Sequence, residues 1–299
     1  MEDKTKLIEI PLDRPGYERF IGAWALEGEI NLVVDVGPSN PVHHLIDALK
    51  AMHWDRVDFV LLTHIHIDHA GGLADFLEAF PTAKVVVHDV GIKHLVDPSR
   101  LWAGSKKVLG ELAEFYGIIR PSPRERLIPH LEADIKGLDI VETPGHAAHH
   151  LSFCYHNKLF AGEAAGNFFV VGEKEYLRPA TPPVFFLPEF QESLERMLAL
   201  KDQTICYSHF GRGESSHRLI RRFRDQLLRW RALIRAEGSR GSQDLVERCV
   251  NRLLADDPDL AAFKDMSPAV QGRERNFMAN SVNGYVQFLR AAEMPGCSG

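Results

Sequence analysis

Cysteine is scarce in this chain: Cys154, Cys206, Cys249 and Cys297 are scattered over 299 residues with no close pair. Such spacing argues against a disulfide framework and against a cysteine-based zinc site, and predicts buried reduced thiols. Long apolar runs are missing too. None approaches the roughly 20 residues needed to span a bilayer. The opening stretch MEDKTKLIEIPLDRPGYERF is polar and lacks the apolar core of a secretory signal. These absences point to a cytoplasmic protein with no membrane partner. A basic excess is also lacking. The formal net charge is -6, which counts against a general nucleic-acid binder. No internal repeat and no low-complexity tract interrupts the chain.

What remains is an ordinary folded composition, 45% hydrophobic and 25% charged, with ample material for a core. INLVVDVG (30–37), DFVLLTH (58–64) and KVVVHD (84–89) read as strands, the apolar runs matching strands covered on both faces. HHLIDALKAM (43–52) has helical spacing, and DHAGGLADFLEAF (68–80) reads as one helix stopped by Pro81. Residues 90–117 are predicted helical, and 151–163 a hairpin turning near Asn157. Strands and helices alternate without strict repetition, so a mixed sheet or two sheets is expected over residues 1–213. From 214 to 299 the pattern becomes helical, an extension to the α/β body.

Histidine is abundant, 15 in all, and LLTHIHIDHAGGL sets His64, His66, Asp68 and His69 within six positions. His64 and His66 are two apart, so near a strand end both can aim at one point. Asp68 and His69 fall where the chain turns toward a helix. Gly71 and Gly72 leave room for close backbone approach. Imidazole and carboxylate suit zinc and similar divalent ions. Other strand-like runs end in the same way: ETPGH brings His146, LFAGE brings Glu163, and CYSHFG brings His209. Loops at strand ends are where active sites gather.

His-x-His-x-Asp-His, a Pro-Gly-His turn, an acid after LFAG and a late strand-end histidine together resemble the metallo-β-lactamase-fold hydrolase superfamily, over roughly residues 20–211. The resemblance implies a four-layer αβ/βα sandwich of two mixed β-sheets, with metals at one edge. It implies a first metal on His64, His66 and His146, a second on Asp68, His69 and His209, and a carboxylate at Glu163 bridging them. Most relatives have aspartate at this last place. Glutamate, one methylene longer, could bridge after a small backbone adjustment, favour one site, or change the preferred metal. Zinc is the first choice of cation, with iron or manganese as alternatives. Two such ions share a hydroxide and polarise a substrate oxygen, and Asp68 orients that hydroxide or accepts its proton. Asp35 is expected to hold a ligand histidine in its tautomer. His150 is read as structural support, and His149 as a surface residue. His43, His88 and His130 are read as ordinary histidines.

Residues 166–190 follow Glu163 directly. Most of their phenylalanines are assigned to core packing, while Tyr176 and Arg178 are candidates for a substrate pocket. The helix predicted over 215–238 carries Arg218, Arg221, Arg222, Arg224, Arg229, Arg231 and Arg235, with Arg240 just beyond it. Pairing with acids elsewhere is the preferred reading of these arginines, ahead of an anion-binding face. Leu219, Phe223, Leu227, Trp230 and Ile234 form its apolar stripe, which is expected to dock on the body or on a second copy in a homodimer. Within the superfamily the chain looks nearest to the thioesterase and lactonase branch, acting on a small ester, thioester or lactone-like molecule. The redox branch usually has glutamate in place of His66. A phosphodiesterase or nuclease, and a metal-binding sensor or scaffold without turnover, are the alternatives.

Overall fold

The computed structural model describes residues 4–293. Strands β1 (Thr5–Glu9), β2 (Gly22–Leu26), β3 (Leu32–Val34), β4 (Phe59–Leu61), β5 (Lys84–Val87) and β6 (Leu127–Pro129) form one mixed sheet in that order. Its first three strands are antiparallel and β3 to β6 run parallel. The second sheet begins with β7 (Asp139–Glu142), β8 (Leu151–Tyr155) and β9 (Lys158–Gly162). A two-stranded ribbon, β10 (Asn167–Val171) and β11 (Lys174–Arg178), follows in the chain before β12 (Thr204–Tyr207) and β13 (Gly211–Gly213) complete the second sheet in the order β13-β12-β9-β8-β7. There β12 and β9 are parallel and the other pairs antiparallel.

Side-chain alternation explains why both sheets are covered on two faces. On β3 to β5, Leu32, Val34, Leu61 and Val86 face the second sheet, meeting Leu151, Phe153, Phe160 and Cys206. The intervening Val33, Val60, Val85 and Val87 face outward. Helices α1 (Val42–Ala51), α2 (Ile67–Ala70), α3 (Leu73–Ala79), α4 (Asp89–Val96), α5 (Ser99–Leu109) and α6 (Glu111–Tyr116) lie on this side, and Leu45, Leu49, Phe76, Leu95 and Tyr116 bury that outer face. Outward residues of the second sheet, Leu159, Ala161, Ile205 and Tyr207, meet α7 (Leu187–Leu198), α8 (Ser216–Gly238), α9 (Leu245–Asp256) and α10 (Pro268–Glu293). The result is the expected sandwich of helices, sheet, sheet and helices, with a helical C-terminal extension.

Two local expectations need correction. The stretch 68–80 is two helices, α2 and α3, because Gly71-Gly72 lets α1 approach: a Cβ on Gly72 would lie 2.6 Å from Val42 Cβ. Residues 90–117 form three short helices, α4 to α6, broken at Pro98 and Gly110. The stretch after Glu163 begins with the β10–β11 ribbon, and its Asn167, Arg178 and residues 180–184 line the cleft described below, as expected of a pocket wall. Cys154, Cys206 and Cys249 are buried as thiols, as expected, and Cys297 lies outside the described residues.

The stripe of α8 is buried within this chain: Leu219, Phe223, Leu227, Trp230 and Ile234 are at most 1% exposed. Each contributes about 1.5–3 kcal/mol by burial, against about 0–1 kcal/mol for an exposed ion pair, so the stripe holds the helix in place. The arginines around it are largely engaged. Arg218 and Arg222 meet Glu175, Arg222 and Arg229 meet Asp259, Arg224 meets Glu195 and Arg240 meets Glu237. No helix among the described residues is long and apolar enough to cross a membrane.

Candidate metal centre

The centre lies where both sheets end on one side, and two backbone hydrogen bonds join them there. Leu151 N–H donates to Thr63 O at 2.7 Å, and Gly22 N–H donates to Ser208 O at 3.2 Å. The loop after β4 carries His64 and His66; α2 carries Asp68 and His69; the turn after β7 carries His146; Glu163 follows directly on β9; His209 lies just beyond the end of β12. Because β9 and β12 are parallel with Tyr207 opposite Gly162, Glu163 and His209 leave the second sheet side by side.

Glu163 is the hub. Its Oε2 lies 2.8 Å from His146 Nε2, 3.5 Å from His69 Nε2 and 3.6 Å from His64 Nε2, while Oε1 lies 3.4 Å from His209 Nε2. Asp68 Oδ2 is 3.7 Å from His69 Nε2 and 3.5 Å from His209 Nε2. His66 turns Nδ1 to within 2.9 Å of His146 Nε2. The donors divide into two groups that could each hold an ion, His64, His66, His146 and Glu163 on one side, Asp68, His69 and His209 on the other.

Two observations test the fit of divalent cations. Nε2 of His64 and of His69 are buried with no hydrogen-bond partner, an arrangement that is costly in a folded interior unless a cation or solvent meets the lone pair. Ligands of a tetrahedral zinc at 2.0–2.1 Å are about 3.3 Å apart; five donor pairs lie close to this at 3.4–3.7 Å, while His146–Glu163 and His66–His146 are drawn in to hydrogen-bond distances of 2.8 and 2.9 Å. The residues fit the group.

The far side of each ring is also arranged. Asp35 sits in the left-handed region at φ 58° at the end of β3, a conformation aspartate tolerates better than most residues. Its Oδ2 accepts from His69 Nδ1 at 2.9 Å and from Ser208 Oγ at 2.7 Å, and Oδ1 accepts from Thr63 N–H at 2.8 Å. Thr63 Oγ1 donates to Asp35 and so accepts from His64 Nδ1 at 3.1 Å. Ala180 O accepts from His146 Nδ1 at 2.9 Å, and Phe20 O from His209 Nδ1 at 3.3 Å. Each of these partners leaves the lone pair of the opposite nitrogen facing the centre. His150 does not face it. Its Nδ1 donates to Thr143 Oγ1 at 2.8 Å and its Nε2 accepts from the Glu163 N–H at 3.1 Å, fixing the backbone of the hub.

Charge states follow from burial and neighbours. Burial, reinforced by the surrounding imidazoles, holds His64 well below the ordinary histidine range and takes His66 down to about 3. Burial opposes ionisation of Asp68 and Glu163, but the histidines outweigh it: Asp68 falls to about 2 and Glu163 well below the carboxylate range. Burial also opposes a charge on His69, yet Asp68 and Asp35 raise it well above the usual value; Glu163 does the same, more mildly, for His146. Without a cation, protons on imidazoles balance the two carboxylates, and binding an ion would displace them.

Asp35→Asn tests the support beneath His69. An amide can face only some of these donors with its oxygen and leaves others unmatched. We expect zinc affinity to fall about 10–100-fold, measured by competition with a chromophoric chelator. The unmatched buried donors should also cost about 1–3 kcal/mol in a denaturant titration.

A cleft of about 440 Å³ opens over the centre. Arg178 lines it; Tyr176 does not. Both share a face of β11, but Arg178 lies about 7 Å further along the strand, whereas Tyr176 is fully buried against Phe169, 4.9 Å between ring centres. Arg178 is 1% exposed, donates to Glu274 and to Pro179 O, and keeps Nη2 without a partner. His149, expected on the surface, is half-buried on the cleft wall, its ring centre 5.8 Å from that of His66, and burial and His146 lower it to about 4. Residues that sequence reasoning missed complete the wall: Leu101, Ser105 and Val108 from α5, and Phe277, Asn280 and Ser281 from α10. Thr63 and Ser208 were detectable, since each immediately precedes a strand-end histidine; the α5 and α10 residues carry no such mark.

The profile of the Metallo-beta-lactamase superfamily matches residues 20–209, which contain every one of these donors, and the chain belongs to that superfamily. The metallo-beta-lactamase fold-containing protein ST1585 of Sulfurisphaera tokodaii is 30% identical over 215 residues, 69% of this chain and 78% of its own. The crystal structure of ST1585 covers 96% of this chain and 100% of that one, with a TM-score of 0.70 at 23% identity. The hydroxyacylglutathione hydrolase of Aeromonas salmonicida is 30% identical over 185 residues, 62% of this chain and 58% of that enzyme. A metallo-beta-lactamase family protein of Thermus thermophilus, TTHA1429, shares the fold over 99% of this chain and 96% of its own, TM-score 0.63 and 19% identity. At the level of the superfamily, whose members are generally metal-binding hydrolases, the chain is a hydrolase.

Proposed function

We propose that this chain hydrolyses a small ester, thioester or lactone-like substrate with the help of two divalent cations, zinc foremost. The observation that carries the reading is the convergence of both donor groups on Glu163 at the floor of one cleft. His64, His66 and His146 would hold one ion, Asp68, His69 and His209 the other, with Glu163 between them. Bound there, the ions would polarise a substrate carbonyl and lower the pKa of water to about 7. Asp68, half-buried and lowered to about 2 by the neighbouring histidines against the effect of burial, would orient the attacking group and accept its proton. Arg178, which lines the cleft, would be the substrate-pocket residue of this stretch. The likeness to a hydroxyacylglutathione hydrolase supports acyl transfer to water. Five of the eight arginines that kept the phosphodiester alternative open are tied to acids, the preferred reading of them: Arg218, Arg222, Arg224, Arg229 and Arg240.

The test is a panel of thioesters, lactones and a phosphodiester, assayed with zinc and again with chelator. Turnover of a thioester or lactone that chelator abolishes is the expected result. Turnover of the phosphodiester alone would make the chain a nuclease-type enzyme, and metal binding without any turnover would make it a sensor or scaffold.

A further inference from the structure

The sheet that delivers His64 ends in two more histidines on the same side. β5 runs into His88 and β6 into His130, and because these strands are parallel with Val87 opposite Pro129, the two leave the edge together. Their rings stack with centres 4.5 Å apart. Asp89 places Oδ1 2.7 Å from His88 Nδ1. Glu142, at the end of β7 in the other sheet, accepts from His130 Nε2 at 2.9 Å. That bond commits the Nε2 proton, so the neutral His130 ring carries its lone pair on Nδ1. This Nδ1 is buried without a partner, on a side chain only 3% exposed.

A buried imidazole lone pair with nothing to accept from is costly, and a cation removes the cost. We propose that His88, Asp89 and His130 form a further divalent-cation site, separate from the Glu163 centre. One ligand atom from each lies within 4.8 Å of the others. Asp89 is about half exposed and can swing inward to tighten the shell, leaving a fourth position to water. Two imidazoles and one carboxylate select zinc and its borderline neighbours over calcium or magnesium. Glu142 behind His130 repeats the carboxylate–histidine support that orients metal-binding rings.

The experiment counts zinc. The full chain is stripped with chelator, reloaded with zinc, passed through gel filtration and analysed for metal per chain. Wild type should retain one equivalent more than His88→Gln and one more than Asp89→Asn. Asparagine in place of Asp89 keeps the Oδ1 acceptor for the Val90 N–H (2.7 Å) while removing the charge, so the helix start survives. Glu142→Gln should keep the equivalent but bind it about 10–100-fold more weakly. His66→Ala should retain it, which separates this site from the Glu163 centre. His44→Gln, in the exposed His43–His44 pair with ring centres 4.0 Å apart, should lose nothing. Equal zinc content and affinity in wild type, His88→Gln and Asp89→Asn would overturn the proposal. So would loss of the same equivalent from His44→Gln, which would mark adventitious surface binding.

Discussion

His66→Ala is expected to lose about 10³-fold in kcat/KM and at least one cation while its melting temperature stays near that of the wild type. The asymmetry follows from where His66 sits. It is half-buried, lies outside the apolar clusters, and its side chain caps nothing at the start of α2. Truncation therefore opens no core cavity of the kind that costs several kcal/mol. Its Nδ1, by contrast, faces the centre beside His146 Nε2, and no other side chain in its donor group stands ready to replace it. A catalytic cation stabilises developing charge by several kcal/mol; about 4 kcal/mol corresponds to about 10³ in rate. The measurements are kinetics on whichever substrate the panel returns, elemental analysis of the purified variant, and a thermal melt. Full activity with unchanged metal content would remove His66 from the machinery.

The sequence carries the parts of the centre that are written locally. The donors of the HIHIDH stretch are contiguous, and His146, Glu163 and His209 each follow an apolar run, so a search for polar residues at strand ends finds them. The sandwich is legible for the same reason: continuous apolar strands such as β4 and β5 need cover on both faces. What stays hidden depends on distances that no local pattern encodes. α10 begins some hundred residues after Glu163, yet its Glu274 holds Arg178 and its Phe277 lines the cleft. His149 reads as a surface histidine because nothing in PGHAAHH shows that it will line the same cleft as residues of the distant α5. Tyr176 is misassigned for a related reason. Two residues along one strand separate a cleft wall from a closed core, and periodicity assigns the face without saying where the cover ends.

Glu163→Asp is the second change with a large expected effect, because the hub works by reach. Glu163 approaches four imidazoles, at 2.8, 3.4, 3.5 and 3.6 Å, across both donor groups. Removing one methylene withdraws the carboxylate by about 1.5 Å, one C–C bond. The backbone has little freedom to follow. The Glu163 N–H is held by His150 Nε2 at 3.1 Å, and Gly162 packs so tightly beneath that ring, at φ 54°, that a Cβ there would lie 2.5 Å from the same nitrogen. The shorter acid can therefore serve one donor group or the other, but not both. Misplacement by about 1 Å costs on the order of 10² in rate, so kcat/KM should fall by about that factor, with fewer cations retained per chain. Glu163→Gln separates reach from charge. It keeps the length and removes the anion, and should lose cations at least as severely while the fold survives. A Glu163→Asp variant that turned over faster than wild type, with both ions bound, would show the opposite: that the longer stem detunes a bridge this backbone already suits to aspartate.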